Sequence, residues 1–161
     1  MNSIFKNILT LLVLIPSCYA QKNQIKEAQK ELKAGNFEQA LAILSPVEYL
    51  ISNAVVEDRI HFYYVQGTAL VNLANNNINT SKNLSKAILV FSDLIEVESE
   101  SNMQKFTPEA IETLSKIKEN LVISANEDLV NENFTASSEK FYQAYLIDKK
   151  DTLQLYNAAM S

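Results

Sequence analysis

Residues Lys33 to Leu44 read KAGNFEQALAIL, and they decide how the chain is organised. Gly35 is one of only two glycines among 161 residues, the other being Gly67. Before it, Ile25, Ala28, Gln29 and Leu32 follow the i, i+3, i+4, i+7 spacing of one helix face. After it, Phe37, Ala40, Leu41 and Leu44 repeat that spacing. Two helices joined by so short a connection are antiparallel neighbours. Gly35 stands where a helix ends in the left-handed conformation, which costs other residues more. Neither glycine belongs to a glycine-rich phosphate loop, so nothing here points to a nucleotide.

The chain opens differently. MNSIFKNILTLLVLIPSCYAQ places Lys6 in a short polar start, an apolar run from Ile8 to Ile15, then Pro16 and small residues. This is the layout of a secretory signal peptide over residues 1–20, and the run is too short to span a bilayer as a helix. Two readings of the junction stay open. Cleavage before Gln21 fits the small residues of Cys18-Tyr19-Ala20 and is the one the local residues favour. Alternatively, Ile15-Pro16-Ser17-Cys18 resembles a bacterial lipobox, with Cys18 as the lipidation site, although Pro16 departs from the usual pattern. Cys18 is the sole cysteine, so cleavage before Gln21 leaves neither a disulfide nor a thiol nucleophile. Removing the segment takes the formal charge from −5 to −6, because Lys6 is its one charged residue. No dense Lys/Arg cluster follows, which argues against nucleic acid as a partner. The expected location is exported, periplasmic or outer-membrane associated, with contact to a membrane only through a lipid on Cys18.

From Gln21 on, helix periodicity dominates and no segment alternates long enough for a strand, so the predicted class is all-α. Ser45-Pro46-Val47-Glu48 predicts a kink or restart in the second helix. Asn53 to Ala74 carries HFYYVQGTALVNLA, with Gly67 in its interior at a cost of about 1 kcal/mol relative to alanine. Its expected benefit is close approach of a neighbouring helix. Asn75 to Asn83 reads as a loop, as does Glu98 to Lys105. Thr107-Pro108 reads as a capped helix start, with that helix running unbroken to about Val130. Asn131-Glu132-Asn133 is a turn, and Asp151-Thr152-Leu153-Gln154 a capping-box-like start for a last helix.

The turn at Gly35 recurs. Gly35-Asn36-Phe37-x-x-Ala40 is matched by Lys82-Asn83-Leu84-x-x-Ala87 and by Glu132-Asn133-Phe134-x-x-Ser137. Four residues beyond the small residue stand Leu44, Phe91 and Phe141; seven beyond stand Val47, Leu94 and Ala144. In the preceding helices, small residues fall at Ala28, Gly67 and Ala125, with Tyr63 and Leu121 four before the latter two. On these residues the chain resembles the tetratricopeptide repeat (TPR) family, whose period is about 34 residues. The resemblance covers nearly all of residues 21–161 as units 21–54, 56–101 and 108–150, followed by a helix at 152–161. It implies a right-handed superhelical stack of antiparallel helix pairs. Leu155 and Ala159 have the spacing of a further first helix. That helix is either the cap a solenoid needs or part of a longer array, and its lack of a strongly polar face favours the second.

Catalytic chemistry is poorly supplied. His61 is the only histidine, which excludes a triad or a two-histidine metal site within one chain. Glu96, Glu98 and Glu100 read as a solvated acidic run rather than paired catalytic carboxylates. No cofactor or metal is called for, and an enzyme is not expected. In the family the resemblance names, the first helix of each unit lines a concave groove that receives a partner's peptide or helix. Carried over by spacing, that groove holds Ile25, Gln29 and Leu32, then His61, Tyr64, Thr68 and Asn72, then Val122 and Asn126. The resemblance thus implies a non-catalytic protein-binding scaffold of the cell envelope. A carboxylate clamp found in one subclass is missing, because its places hold Ile25, Gln29, Val65 and Ile123. The alternative is a small-ligand or glycan carrier related to all-α outer-membrane nutrient-binding lipoproteins, with Tyr63-Tyr64 as stacking residues.

Overall fold

The spacing on either side of Gly35 becomes two helices in the computed structural model, which describes residues 21–161. The signal-peptide segment, Cys18 and both readings of their junction lie outside the described residues. Helix α1 covers residues 21–33, and α2 covers Phe37–Leu44. Pro46 does not break the second helix apart. It tightens the chain into a 3-10 helix, Ser45–Asn53, which still buries Val47 and Ile51. Then follow α3 (Val56–Asn75), α4 (Thr80–Glu100), α5 (Thr107–Val130), α6 (Phe134–Ile147) and α7 (Thr152–Met160). The described residues contain helices and no strand, so the protein is all-α. None of the described helices is long and apolar enough to cross a membrane.

Consecutive helices pack on one another: α2 on α3, α3 on α4, α4 on α5, α5 on α6, and α6 on α7. The recurring residues carry that packing. Ala40, Ala87 and Ser137 are all fully buried, as are Ala28 and Ala125. Leu44, Phe91 and Phe141 lie beside them at 2% exposure or less. Small residues let two helix backbones approach, and the large residue one turn on fills the space that remains. At Gly67 the approach is close. A Cβ built there would stand 2.7 Å from Cε1 of Phe91 on α4.

The helix ends repeat as well. Gly35 has φ +80°, with its N–H donating to the Leu32 carbonyl and the Asn36 N–H to Glu31. Glu132 has φ +61°, with its N–H donating to Leu129 and the Asn133 N–H to Asp128. These are the same paired bonds of a Schellman ending, so the match between the two turns is geometric as well as textual. The middle turn differs from the expectation built on Lys82. Its left-handed residue is Asn77 (φ +60°), with Asn77 N–H donating to Ala74 and Ile78 N–H to Leu73. The Asn75–Asn83 loop is therefore only residues 76–79, and Lys82 and Asn83 already lie in α4. Asparagine tolerates the left-handed region, and Asn77 and Asn79 both occupy it, so the run turns in four residues.

The second expected loop is also shorter. Helix α4 continues to Glu100 and ends on Asn102 at φ +55°. The acidic run is not solvated as a whole: Glu96 and Glu100 are exposed, but Glu98 is fully buried. Its carboxylate accepts the Phe106 N–H at 3.0 and 3.1 Å and the Thr107 N–H at 2.8 Å. The α5 N-terminus is thus capped from another helix, and Thr107, expected as the cap, is instead the first helical residue and makes no cap bond. At α7, Asp151 takes the cap position without a side-chain cap bond, and Gln154 Nε2 donates to its Oδ2 at 3.4 Å.

Candidate functional site

Three of the groove residues inferred from spacing meet at one place. Ile25 and Gln29 of α1 and His61 of α3 line a cleft of about 110 Å³, together with Lys22 and Lys26 from α1 and Glu57 and Asp58 from α3. The cleft is lined by polar residues of both helices, Lys22, Lys26 and Gln29 from α1 and Glu57, Asp58 and His61 from α3, with Ile25 at its base. Two lysines face two carboxylates across it. A volume of this size takes one side chain rather than a small-molecule ligand, whose pockets run to about 300–1,000 Å³.

His61 links the cleft to a second cluster. Its Nε2 lies 2.9 Å from the Lys105 ammonium, which can only donate, so the imidazole is neutral at that nitrogen and accepts. Burial lowers the His61 pKa and the Lys105 charge lowers it further, partly offset by Glu57 and Asp58. The imidazole also meets the Phe106 ring edge-on at 5.4 Å. Phe106 stacks on Tyr64 with centroids 3.9 Å apart and planes 14° from parallel. Tyr64 Oη donates to Glu109 at 3.1 and 3.2 Å. Burial raises the Tyr64 pKa and Glu109 raises it further. The Lys105 ammonium lies 5.2 Å from the Phe106 centroid, within cation–π range. The whole cluster hangs on Glu98, which grips the Phe106 N–H. Burial pushes the Glu98 carboxyl up, but the backbone N–H bonds from Thr107 and Phe106 outweigh it and hold the group below the ordinary carboxylate range.

The remaining groove residues fall elsewhere along the same helices. Ile25 is buried within the first core cluster, so it shapes the cleft rather than offering a free surface. Leu32 packs half-buried against that cluster, and Val122 against the second. Asn72 Nδ2 donates to the Thr68 carbonyl at 2.8 Å, and Asn126 Nδ2 to the Val122 carbonyl at 2.7 Å. Both amides therefore spend a donor on their own helix and keep Oδ1 as an acceptor. Tyr63 meets Phe62 edge-on and is half-buried.

Lys22, Lys26, Glu57, Asp58, Lys105, Phe106 and Glu109 did not emerge from the sequence. Lys22 and Lys26 carried a usable signal, standing four apart and in register with Gln29 on the face of α1. Lys105 and Phe106 lie in a connection with no periodicity and carried none. No group of three or more His, Cys, Asp or Glu among the described residues is arranged to hold a metal. The chain matches no protein-family model, no curated protein and no solved structure.

Proposed function

We propose that this protein is a non-catalytic interaction module that binds a peptide or helix of a partner along α1, α3 and α5. In this reading the helix pairs form a TPR-like, right-handed superhelical stack, and the protein is exported and works in the cell envelope. One observation carries it: Ile25, Gln29 and His61, placed on a common face by repeat spacing, converge on a cleft sized for one side chain and flanked by charges of both signs. Peptide recognition suits such a surface. An apolar or polar side chain enters the cleft, while Lys22, Lys26, Glu57 and Asp58 fix register by charge. The burial of small residues at matched positions, Ala28, Gly67 and Ala125 and again Ala40, Ala87 and Ser137, supports the repeat reading.

The glycan-carrier alternative relied on free aromatic faces. Phe106 covers one face of Tyr64 and Tyr63 is half-buried against Phe62, so the pair offers less stacking area than two free rings. The test is a thermal-shift comparison of a glycan panel with a random peptide library. Peptide binders whose affinity falls at least tenfold on Gln29→Arg support the module. Stabilisation by glycans alone overturns it.

A further inference from the structure

His61 is the only histidine, and its Nε2 lies 2.9 Å from the Lys105 ammonium. Two cations repel at this distance, so one of the groups is uncharged. An ammonium has donors and no acceptor, so the imidazole is the neutral partner, with its proton on Nδ1. Lys105 belongs to residues 101–106, the connection between α4 and α5. Glu98 holds the backbone of that connection on both sides of Lys105. Its carbonyl accepts the Met103 N–H at 2.8 Å, and its carboxylate accepts the Phe106 N–H. The Lys105 side chain reaches from there to α3, its ammonium 5.2 Å from the Phe106 centroid. It is exposed, so it can swing away without disturbing the core.

Charges face His61 from each element around it. Burial and the Lys105 charge on the connection both disfavour the imidazolium. On α3 itself, Glu57 and Asp58 stand four and three residues before His61 and favour it. On α1, Lys22 and Lys26 line the same cleft, exposed, as two positive charges that water and salt screen. On α5, Glu109 is engaged by Tyr64 Oη. Protonating His61 therefore sets two cations against each other and gives the imidazolium two carboxylates to turn to. Both arrangements have their partners in place, which is what a two-state element needs.

We propose that His61 is a pH-operated latch: neutral, it holds the Lys105 ammonium against α3; protonated, it releases Lys105 and pairs with Glu57 and Asp58 in the α1–α3 cleft. Near neutrality the two lysines and two carboxylates lining the cleft balance, and the connection is tied to α3 at Lys105. In mild acid the imidazolium gives the cleft an excess positive charge, and the connection loosens at Gln104 and Lys105. The start of α5 stays capped throughout. Glu98 is held below the ordinary carboxylate range by its backbone N–H bonds, which outweigh its burial, so it is still ionised while His61 titrates.

Nuclear magnetic resonance on the ¹³C,¹⁵N-labelled protein from about pH 8 to about pH 4.5 tests this, because the sole histidine gives one set of ring signals. No peptide is needed, so the outcome is independent of binding at the α1–α3 cleft. At the alkaline end the ring proton is expected on Nδ1, with Nε2 bare. On acidification the ring should titrate with a midpoint below 6.5, and the Gln104 and Lys105 amides should shift with that same midpoint. Lys105→Met should raise the midpoint and Glu57→Gln should lower it. Both sites are exposed, and circular dichroism checks that each variant is folded. A histidine whose pKa is lowered by burial alone keeps its midpoint in Lys105→Met. That result overturns the proposal, as does a ring proton on Nε2 at the alkaline end or amides of the connection that do not follow the ring.

Discussion

Replacing Gly67 by alanine sets two effects of opposite sign against each other. Helix propensity favours the change by about 1 kcal/mol, because Gly67 lies in the interior of α3. Packing opposes it. The new methyl would stand 2.7, 2.9 and 3.0 Å from Cε1, Cζ and Cδ1 of Phe91, where carbon atoms rest comfortably at about 3.5–4.0 Å. The ring must retreat by about 0.5–1 Å, and it is 2% exposed in a cluster that also holds Ile88, Leu94 and Leu121. Interiors packed at crystal density have no such slack, and overpacking costs about 1–3 kcal/mol. With three ring carbons struck, the upper part of that range applies, and the net is about 1–2 kcal/mol of destabilisation. Urea unfolding followed by far-ultraviolet circular dichroism reads this directly, and thermal melting would show a fall of about 3–6 °C. Adding Phe91→Leu should recover part of the loss, with a coupling of about 1 kcal/mol in the double-mutant cycle. If Gly67→Ala instead stabilises by about 1 kcal/mol, as at an open helix position, then α3 and α4 are not in close contact and the packing argument fails.

Other consequences follow from single residues. Glu98→Gln should cost about 2–3 kcal/mol at neutral pH, since a charged acceptor for the Phe106 and Thr107 N–H groups becomes a neutral amide. Because the folded Glu98 pKa lies below its unfolded value of about 4.3, its contribution is present above that pH and disappears as pH falls through the folded pKa. Urea midpoints taken from pH 7 down to 3 should therefore show wild type converging on Glu98→Gln, and a constant gap would contradict the argument. Glu132→Gly should stabilise by about 0.5–1 kcal/mol by relieving a left-handed residue at φ +61°, whereas Gly35→Ala should cost about 1 kcal/mol; chemical denaturation of both decides it. Lys118 bridges Asp148 at 3.0 Å and Asp151 at 2.9 Å, pinning the turn before α7. Lys118→Met should lower global stability by less than about 1 kcal/mol yet speed amide exchange across α7, as measured by hydrogen–deuterium exchange.

The burial of the evenly spaced small residues was legible because close helix packing limits residue size. A small residue lets two helix backbones approach closely, and Ala40, Ala87 and Ser137 are all buried. The turns were legible where one αL residue closes them, at Gly35 and Glu132. They were misplaced at residues 75–83, where polar composition suggested a loop while Asn77 and Asn79 folded most of the run into helix ends. Glu98 shows the opposite failure. Leu94, Val97 and Glu98 share a helix face, so the carboxylate stood in an apolar stripe, and the charge of its neighbours Glu96 and Glu100 hid that. The cleft between α1 and α3 was half legible. Ile25, Gln29 and His61 follow from spacing, but Phe106 reaches Tyr64 only because Glu98 holds a nonperiodic connection in place, and that is a tertiary fact.

The central claim is that a partner's peptide lies along α1 and α3 with a side chain in the cleft beside His61. Nuclear magnetic resonance on the ¹⁵N-labelled protein, titrated with peptides selected from a random library, tests it most directly. The account predicts amide shifts concentrated at Lys26, Gln29, Asp58 and His61, lost in Gln29→Arg while the rest of the spectrum stays in place. Shifts centred on another face, or no binder from the library to a folded protein, would contradict it.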